Sequence, residues 1–240
     1  MNTDQTNPTD PTPAPDCPTG DTPNFIQVLR AYAEQIAPVM ITDGIEIGVH
    51  RGKLSQLLLA EFPELTLAMV DPWRDLGKGS RYAKSGDGIA KLNQAQQDAC
   101  RADADAVTRF AINRRLILKL TSEKAAQRLA PNRLYDFVFI DGDHSYEGVL
   151  QDIELWWPRV RGPRVERAVD ECEDCPDGVE EVDVNVPGGI LGGHDHGLPR
   201  YPGVARAVAE LCEREGIEFN ESVNLVGSVW WVQKGAAKKQ

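Results

Sequence analysis

Residues 135–149 read YDFVFIDGDHSYEGV, and they hold the transition on which the fold turns. Tyr135 and the apolar residues Phe137, Val138, Phe139 and Ile140 form the short continuous run that a strand buried on both faces requires. The run stops abruptly at Asp141-Gly142-Asp143-His144, so acids and an imidazole cap the carboxyl end of a buried strand. In an open α/β sheet that edge faces a crevice, and ligands bind there.

Working outward, the same rhythm recurs on both sides. Gly148 to Trp157 continues as a helix with Val149, Ile153 and Trp156 or Trp157 inward, and Leu116 to Leu120 precedes as a strand ending at Thr121-Ser122-Glu123, which caps a helix through Leu129. Further upstream, Gly44 to Val49, Lys53 to Glu61 and Leu65 to Val70 read as strand, helix and strand, a βαβ unit that demands parallel pairing. Between Pro72 and Arg114 the chain is polar; its glycines predict a loop, and a helix over about 89–112 is expected either straight or interrupted. Downstream, Gly188 to Leu191 predicts a fifth strand ending in Gly192-Gly193-His194-Asp195-His196, Val204 to Leu211 a helix, and 218–219 and 228–232 two closing strands. Strands alternating with helices over this length give a doubly wound α/β sheet.

Two segments break the pattern. Residues 1–23, rich in Pro, Thr and Asp, have almost nothing to bury and are expected to be a disordered tail ahead of one domain over 24–240, opened by a helix with Phe25, Val28, Leu29, Tyr32 and Ile36 on one face. Residues 163–186 carry nine acids against two arginines and are expected to be an inserted acidic loop or hairpin; its Cys172 and Cys175 form half of a zinc site and read as part of a solvated insert.

The chain has 240 residues, 41% hydrophobic and 26% charged, with a formal net charge of −11, which argues against a surface built for nucleic-acid phosphates or anionic lipid. No apolar run approaches the roughly 18 residues of a membrane span and no signal peptide is visible, so a cytoplasmic protein is expected. Five cysteines in a chain of this length suggest reduced thiols.

Glu46-Ile47-Gly48-Val49-His50-Arg51-Gly52 follows the first strand, with Asp71 ending the second. Gly48 and Gly52 let the backbone turn tightly at a ligand, Asp71 can accept two hydrogen bonds from a ribose diol, and Glu46 suits a cationic ligand rather than a pyrophosphate. With FIDGDHSYEGVLQDI and PGGILGGHDH in the right order, the chain resembles class I S-adenosylmethionine-dependent methyltransferases of the family 24 type, similar to macrocin and other small-molecule O-methyltransferases and to cephalosporin-hydroxylase-like proteins. The resemblance covers about 44–232 and implies a Rossmann-like, doubly wound, mostly parallel seven-stranded sheet with helices on both faces. It implies Glu46, Gly48 and Gly52 beside the methionine part of S-adenosylmethionine, Asp71 at the ribose and Ser122 near the adenine. Trp73 is placed to stack on that ring, and Asp141 borders the cofactor as well.

Asp141, Asp143 and His144 at one strand end and His194, Asp195 and His196 at the next converge if the fourth and fifth strands are neighbours. Such a set can hold a divalent cation, Mg²⁺ if oxygens dominate and Mn²⁺ if the histidines ligate. Relatives in the resembled family hold a metal here, which makes Asp141 and Asp195 the expected ligands with His194 or His196 third. An acceptor hydroxyl needs a base, and His144 is the expected one because its ordinary pKa lies near neutrality. The expectation is therefore metal-assisted O-methylation of a small molecule, by a chain that could form a homo-oligomer. A hydroxylase-like or N-methylating relative, or a catalytically silent module whose acidic insert docks a basic partner, are the alternatives.

Overall fold

The computed structural model describes residues 22–77, 79–84, 87–171, 179–223 and 228–235. The expected tail lies outside them except for Thr22 and Pro23, which open helix α1 (Thr22–Ile36), and so do Cys172 and Cys175. The βαβ unit is present as β1 (Asp43–Ile47), α2 (Lys53–Glu61) and β2 (Thr66–Asp71). The long polar stretch then yields the short α3 (Arg81–Lys84), 3₁₀ turns over Ile89–Lys91 and Arg109–Ala111, and α4 (Gln94–Val107). Asn93 interrupts the expected helix: its side chain accepts from the Gln96 amide while the Gln96 side chain reaches back to the Asn93 amide, a reciprocal cap that starts α4 afresh.

From there the elements run β3 (Arg115–Lys119), α5 (Ser122–Arg128), β4 (Phe137–Ile140) and α6 (Tyr146–Trp156). Ser145 caps α6 through the Gly148 amide, so the helix begins directly behind His144. The acidic segment is an antiparallel hairpin, β5 (Arg164–Glu171) with β6 (Val179–Val186), set apart from the main sheet. After it come β7 (Ile190–Gly193), α7 (Pro202–Glu215), β8 (Asn220–Val223) and β9 (Ser228–Gln233).

The main sheet has seven strands in the order β3-β2-β1-β4-β7-β9-β8, with only β9 running against its neighbours. Alternation along the strands sends side chains to two cores. Ile45, Ile47, Val138 and Ile140 pack with Val149, Ile153 and Leu211 from α6 and α7, whereas Leu67, Met69, Phe137 and Phe139 pack with Phe25, Leu29 and Leu58 from α1 and α2. Helices therefore cover both faces, which is the Rossmann-like arrangement. The lead-in helix covers β4 through Phe25, whose ring lies 4.4 Å from that of Phe139.

Register decides where the site forms. Ile47 pairs with Val70 and with Ile140, and Ile140 with Gly193. The strands thus end nearly flush, and Gly48, Asp71, Asp141 and His194 emerge side by side at one edge. No helix among the described residues is long and apolar enough to cross a membrane.

Candidate functional site

A cavity of about 510 Å³ opens at that edge, lined by residues from the ends of β1, β2, β4 and β7, the starts of α5 and α6, and the loop around α3. Its volume suits a small organic ligand. At its β1 side, Gly48 has φ +90°, and a side chain there would collide with the Asp141 carbonyl. The backbones leaving β1 and β4 approach so closely that only glycine fits. Asp71 holds this turn: one carboxylate oxygen accepts from the Val49 and His50 amides at 3.1 and 2.9 Å, the other from the Trp73 amide at 2.7 Å. Burial, offset in part by those amides, pushes its carboxyl up to about 6.

Not every expected cofactor residue reaches the cavity. Gly48, Asp71, Ser122 and Asp141 line it; Glu46, Gly52 and Trp73 do not. Glu46 is buried beneath the turn and takes a hydrogen bond from the Ser55 hydroxyl of α2; burial is the main reason its carboxyl rises to about 8. Gly52, at φ +77°, packs the start of α2 against Ala104 of α4. Trp73 turns inward at φ +36°, is fully buried and donates its indole N–H to the His50 carbonyl at 2.8 Å, so it braces the turn from below and has no face for stacking on a ligand.

At the β4 and β7 side, His144 is the centre of a carboxylate cluster. Its Nε2 lies 3.1 Å from Asp141 and 3.3 Å from Asp195, and its Nδ1 lies 3.1 Å from Asp87. The ring stacks on Tyr201 at 4.6 Å. Burial opposes its charged form, but hydrogen bonds and charge from Asp141, Asp87 and Asp195 outweigh it and raise the imidazole to about 10. One ligand atom from each of Asp141, His144 and Asp195 lies within 4.8 Å of the others, a grouping that can hold a metal ion.

His194 lines the cavity with its Nδ1 at 3.0 Å from Asp195. The structure does not bring His196 to this corner: the residue after Asp195 points away, its ring 4.7 Å from Phe219 and its carbonyl taking the Ser228 hydroxyl. Asp143 pairs with Arg81 at 2.7 Å and orients the start of α6 through the Ser145 amide.

Several lining residues had been given no role on sequence grounds. Asp87 sits in a glycine-rich loop without periodicity, yet it takes the Ile89 amide at 2.8 Å and the Tyr82 hydroxyl at 3.1 Å while facing His144. His50 lines the cavity at φ +49°; its Nε2 is buried with no protein partner among the described residues, and burial first, then the Arg51 charge, lowers its pKa. Asp152 did carry a signal, being an acid beside Val149, Ile153 and Trp156 on the buried face of α6.

A family model described as a methyltransferase domain matches residues 45–165, half of the chain, and takes in the turn, Asp71 and the whole of β4 and α6. The chain belongs to this methyltransferase family. Methyltransferases of this family draw the methyl group from S-adenosylmethionine, and the chain is an enzyme of that kind with a candidate metal triad at Asp141, His144 and Asp195. Solved structures share the fold. The O-methyltransferase TomG from Streptomyces achromogenes, involved in tomaymycin synthesis and solved with S-adenosylmethionine, is 13% identical with a TM-score of 0.56 over 92% of this chain and 83% of its own. A Corynebacterium glutamicum protein is 17% identical with a TM-score of 0.55, covering 90% and 82%. A precorrin-6y C5,15-methyltransferase from Geobacter metallireducens is 12% identical with a TM-score of 0.51, covering 87% and 89%. No curated protein matches the sequence.

Proposed function

We propose that this methyltransferase transfers its methyl group to a hydroxyl oxygen of a small molecule, with Mg²⁺ or Mn²⁺ held by Asp141 and Asp195. The observation that carries the reading is the convergence of Asp141, His144 and Asp195 on one corner of the cavity. His144 Nε2 can hold only one proton, yet two carboxylates face it. A dication between the two carboxylates matches their charge where a single proton does not, with His144 beside it as the base rather than a ligand. When bound there it would offset both carboxylates, polarise an acceptor oxygen and return His144 toward neutrality.

In this reading Gly48 and Asp71 seat the cofactor, with Asp71 toward the ribose and Ser122 toward the adenine. His50, kept neutral by burial, suits the neighbourhood of a sulfonium cation. His144 Nε2 takes the acceptor's proton, and Asp87 at Nδ1 fixes the ring and stabilises the imidazolium that results. His194 completes the metal set, whereas His196 is left out because of where it points. Alignment of sulfur and acceptor oxygen within one enclosed cavity supplies most of the remaining acceleration. The net charge of −11 and TomG's part in tomaymycin synthesis support a small-molecule acceptor rather than a nucleic acid.

Calorimetry with S-adenosylhomocysteine, with and without Mg²⁺ or Mn²⁺, followed by a mass-spectrometric screen of hydroxylated metabolites for gain of a methyl group, tests the reading. Binding of the cofactor product, metal uptake by the wild type but not by Asp141→Asn, and an O-methylated product are expected. Absence of any cofactor binding would remove the proposal.

A further inference from the structure

Asp152 belongs neither to the metal corner nor to the glycine turn. It lies on the second turn of α6, is 5% exposed, and borders the cavity beside Ser122 and Gly142. Its surroundings fix which way its hydrogen bonds run. The Trp156 indole N–H donates to Ser122 Oγ at 2.8 Å, and an indole is a donor only, so the Ser122 hydroxyl proton is free for another acceptor. The Asp152 carboxylate borders the cavity beside it, and the Ser122 hydroxyl works against burial by lowering the pKa of that carboxyl.

One hydroxyl satisfies only part of a carboxylate that can accept about four hydrogen bonds. Asp152 Oδ2 lies under Gly142, at 3.6 Å from the place a Cβ would occupy. Arg81, whose charge acts on Asp152, is already bonded to Asp143 and Gln151. Burial is the first cause of the rise of its carboxyl to about 7, and the Asp143 charge adds to it. A buried, under-bonded carboxylate at a cavity wall calls for a ligand N–H, since leaving an acceptor unmade costs more than the bond itself returns.

We propose that Asp152, oriented by Ser122, receives the exocyclic amine of the cofactor's adenine and is the residue that reads the base. The assignment rests on the cofactor reading above. Position favours adenine over any other amine: the metal corner lies at the ends of β4 and β7, Asp71 lies on β2, and Ser122 follows β3 at the cavity end farthest from the metal along the sheet. A cofactor with its ribose at Asp71 and its sulfur toward the metal leaves its base toward Ser122 and Asp152. The base-reading acid then comes from the helix after β4, while the start of α5, after β3, supplies only the serine that aims it.

The test compares S-adenosylhomocysteine with S-inosylhomocysteine, in which a carbonyl oxygen replaces the amine, by calorimetry on the full chain. The wild type should prefer the adenosyl compound by ~10–100-fold, the worth of a hydrogen bond to a charged group. Asp152→Asn, whose amide can rotate to donate to the inosyl carbonyl, should bring the ratio near one, and Ser122→Ala should lower it in the same direction. Equal binding of both compounds by the wild type, or an unchanged ratio in the folded Asp152→Asn protein, overturns the assignment while the cofactor reading stands. If Asp152→Asn does not fold, the wild-type ratio and Ser122→Ala decide, and an unchanged ratio in the latter counts against it. If the wild type binds neither compound, the cofactor reading falls and takes the assignment with it.

Discussion

At the scale of single residues, the chemistry depends on how many groups compete for one imidazole. With Asp87 on Nδ1 and two carboxylates on Nε2, His144 cannot turn, so its role is set by what enters between Asp141 and Asp195. His144→Ala should lower methyl transfer by ~10²–10⁴-fold, the usual worth of a positioned base, while S-adenosylhomocysteine binds as before; comparing turnover with calorimetry checks this. Asp195→Asn should weaken Mn²⁺ binding, read by paramagnetic resonance, by more than the ~10–100-fold that loss of an outer partner costs. Asp141, His144 and Asp195 were legible because they are charged or ionisable groups within four residues of the end of a buried strand, where such groups face the crevice rather than the core. Trp73 was misread for the complementary reason. Two residues beyond its strand the backbone has turned to φ +36°, and nothing in the sequence tells whether an indole there faces the ligand or the core.

Among the elements, the glycine turn and the hairpin make opposite demands. Gly48→Ala combines a left-handed backbone with a collision against the Asp141 carbonyl, so it should destabilise by ~2 kcal/mol or more in denaturant melts and weaken cofactor binding. Among the described residues the hairpin packs on the body near its base: Val186 is buried in the core with α1 and Val184 packs against that core, whereas Val165 and Val169 are well exposed. Replacing residues 168–182 by a tight turn should change stability by less than ~1 kcal/mol, and a larger loss would mean that the outer hairpin packs on the body. The strands β1, β2, β4, β7 and β9 and α2 could be read from apolar runs and spacing, because those patterns are imposed by burial, whereas the strand expected at 218–219 forms instead at Asn220–Val223. The region from Pro72 to Asn93 could not, since its order comes from side-chain bonds such as Tyr82 to Asp87 and Arg81 to Asp143 that no periodicity announces.

For the whole molecule, the notable cost is burial of acids near one edge. Glu46 rises from 4.5 to about 8, chiefly by burial, with Asp141 and Asp71 adding to it against the Ser55 hydrogen bond. A carboxyl raised on folding binds its proton more tightly folded than unfolded. Its contribution is therefore full below the unfolded value and is lost as pH climbs toward about 8; Asp71, at about 6, and Asp152, at about 7, act with the same sign. Thermal melts of the ligand-free protein should fall from pH 5 to 8, and Glu46→Gln should flatten the fall; parallel curves would contradict this account.

The close approach of Gly48 to Asp141 has a consequence for the order in which ligands are held. The Asp141 amide donates to the Ile47 carbonyl at 2.7 Å, and Gly48 presses on the Asp141 carbonyl, so the turn proposed to seat the cofactor and the corner that offers carboxylates share one piece of backbone. If ordering one side orders the other, the two occupancies are linked, and linkage is reciprocal: the factor by which the cofactor product tightens the metal must equal the factor by which the metal tightens the cofactor product.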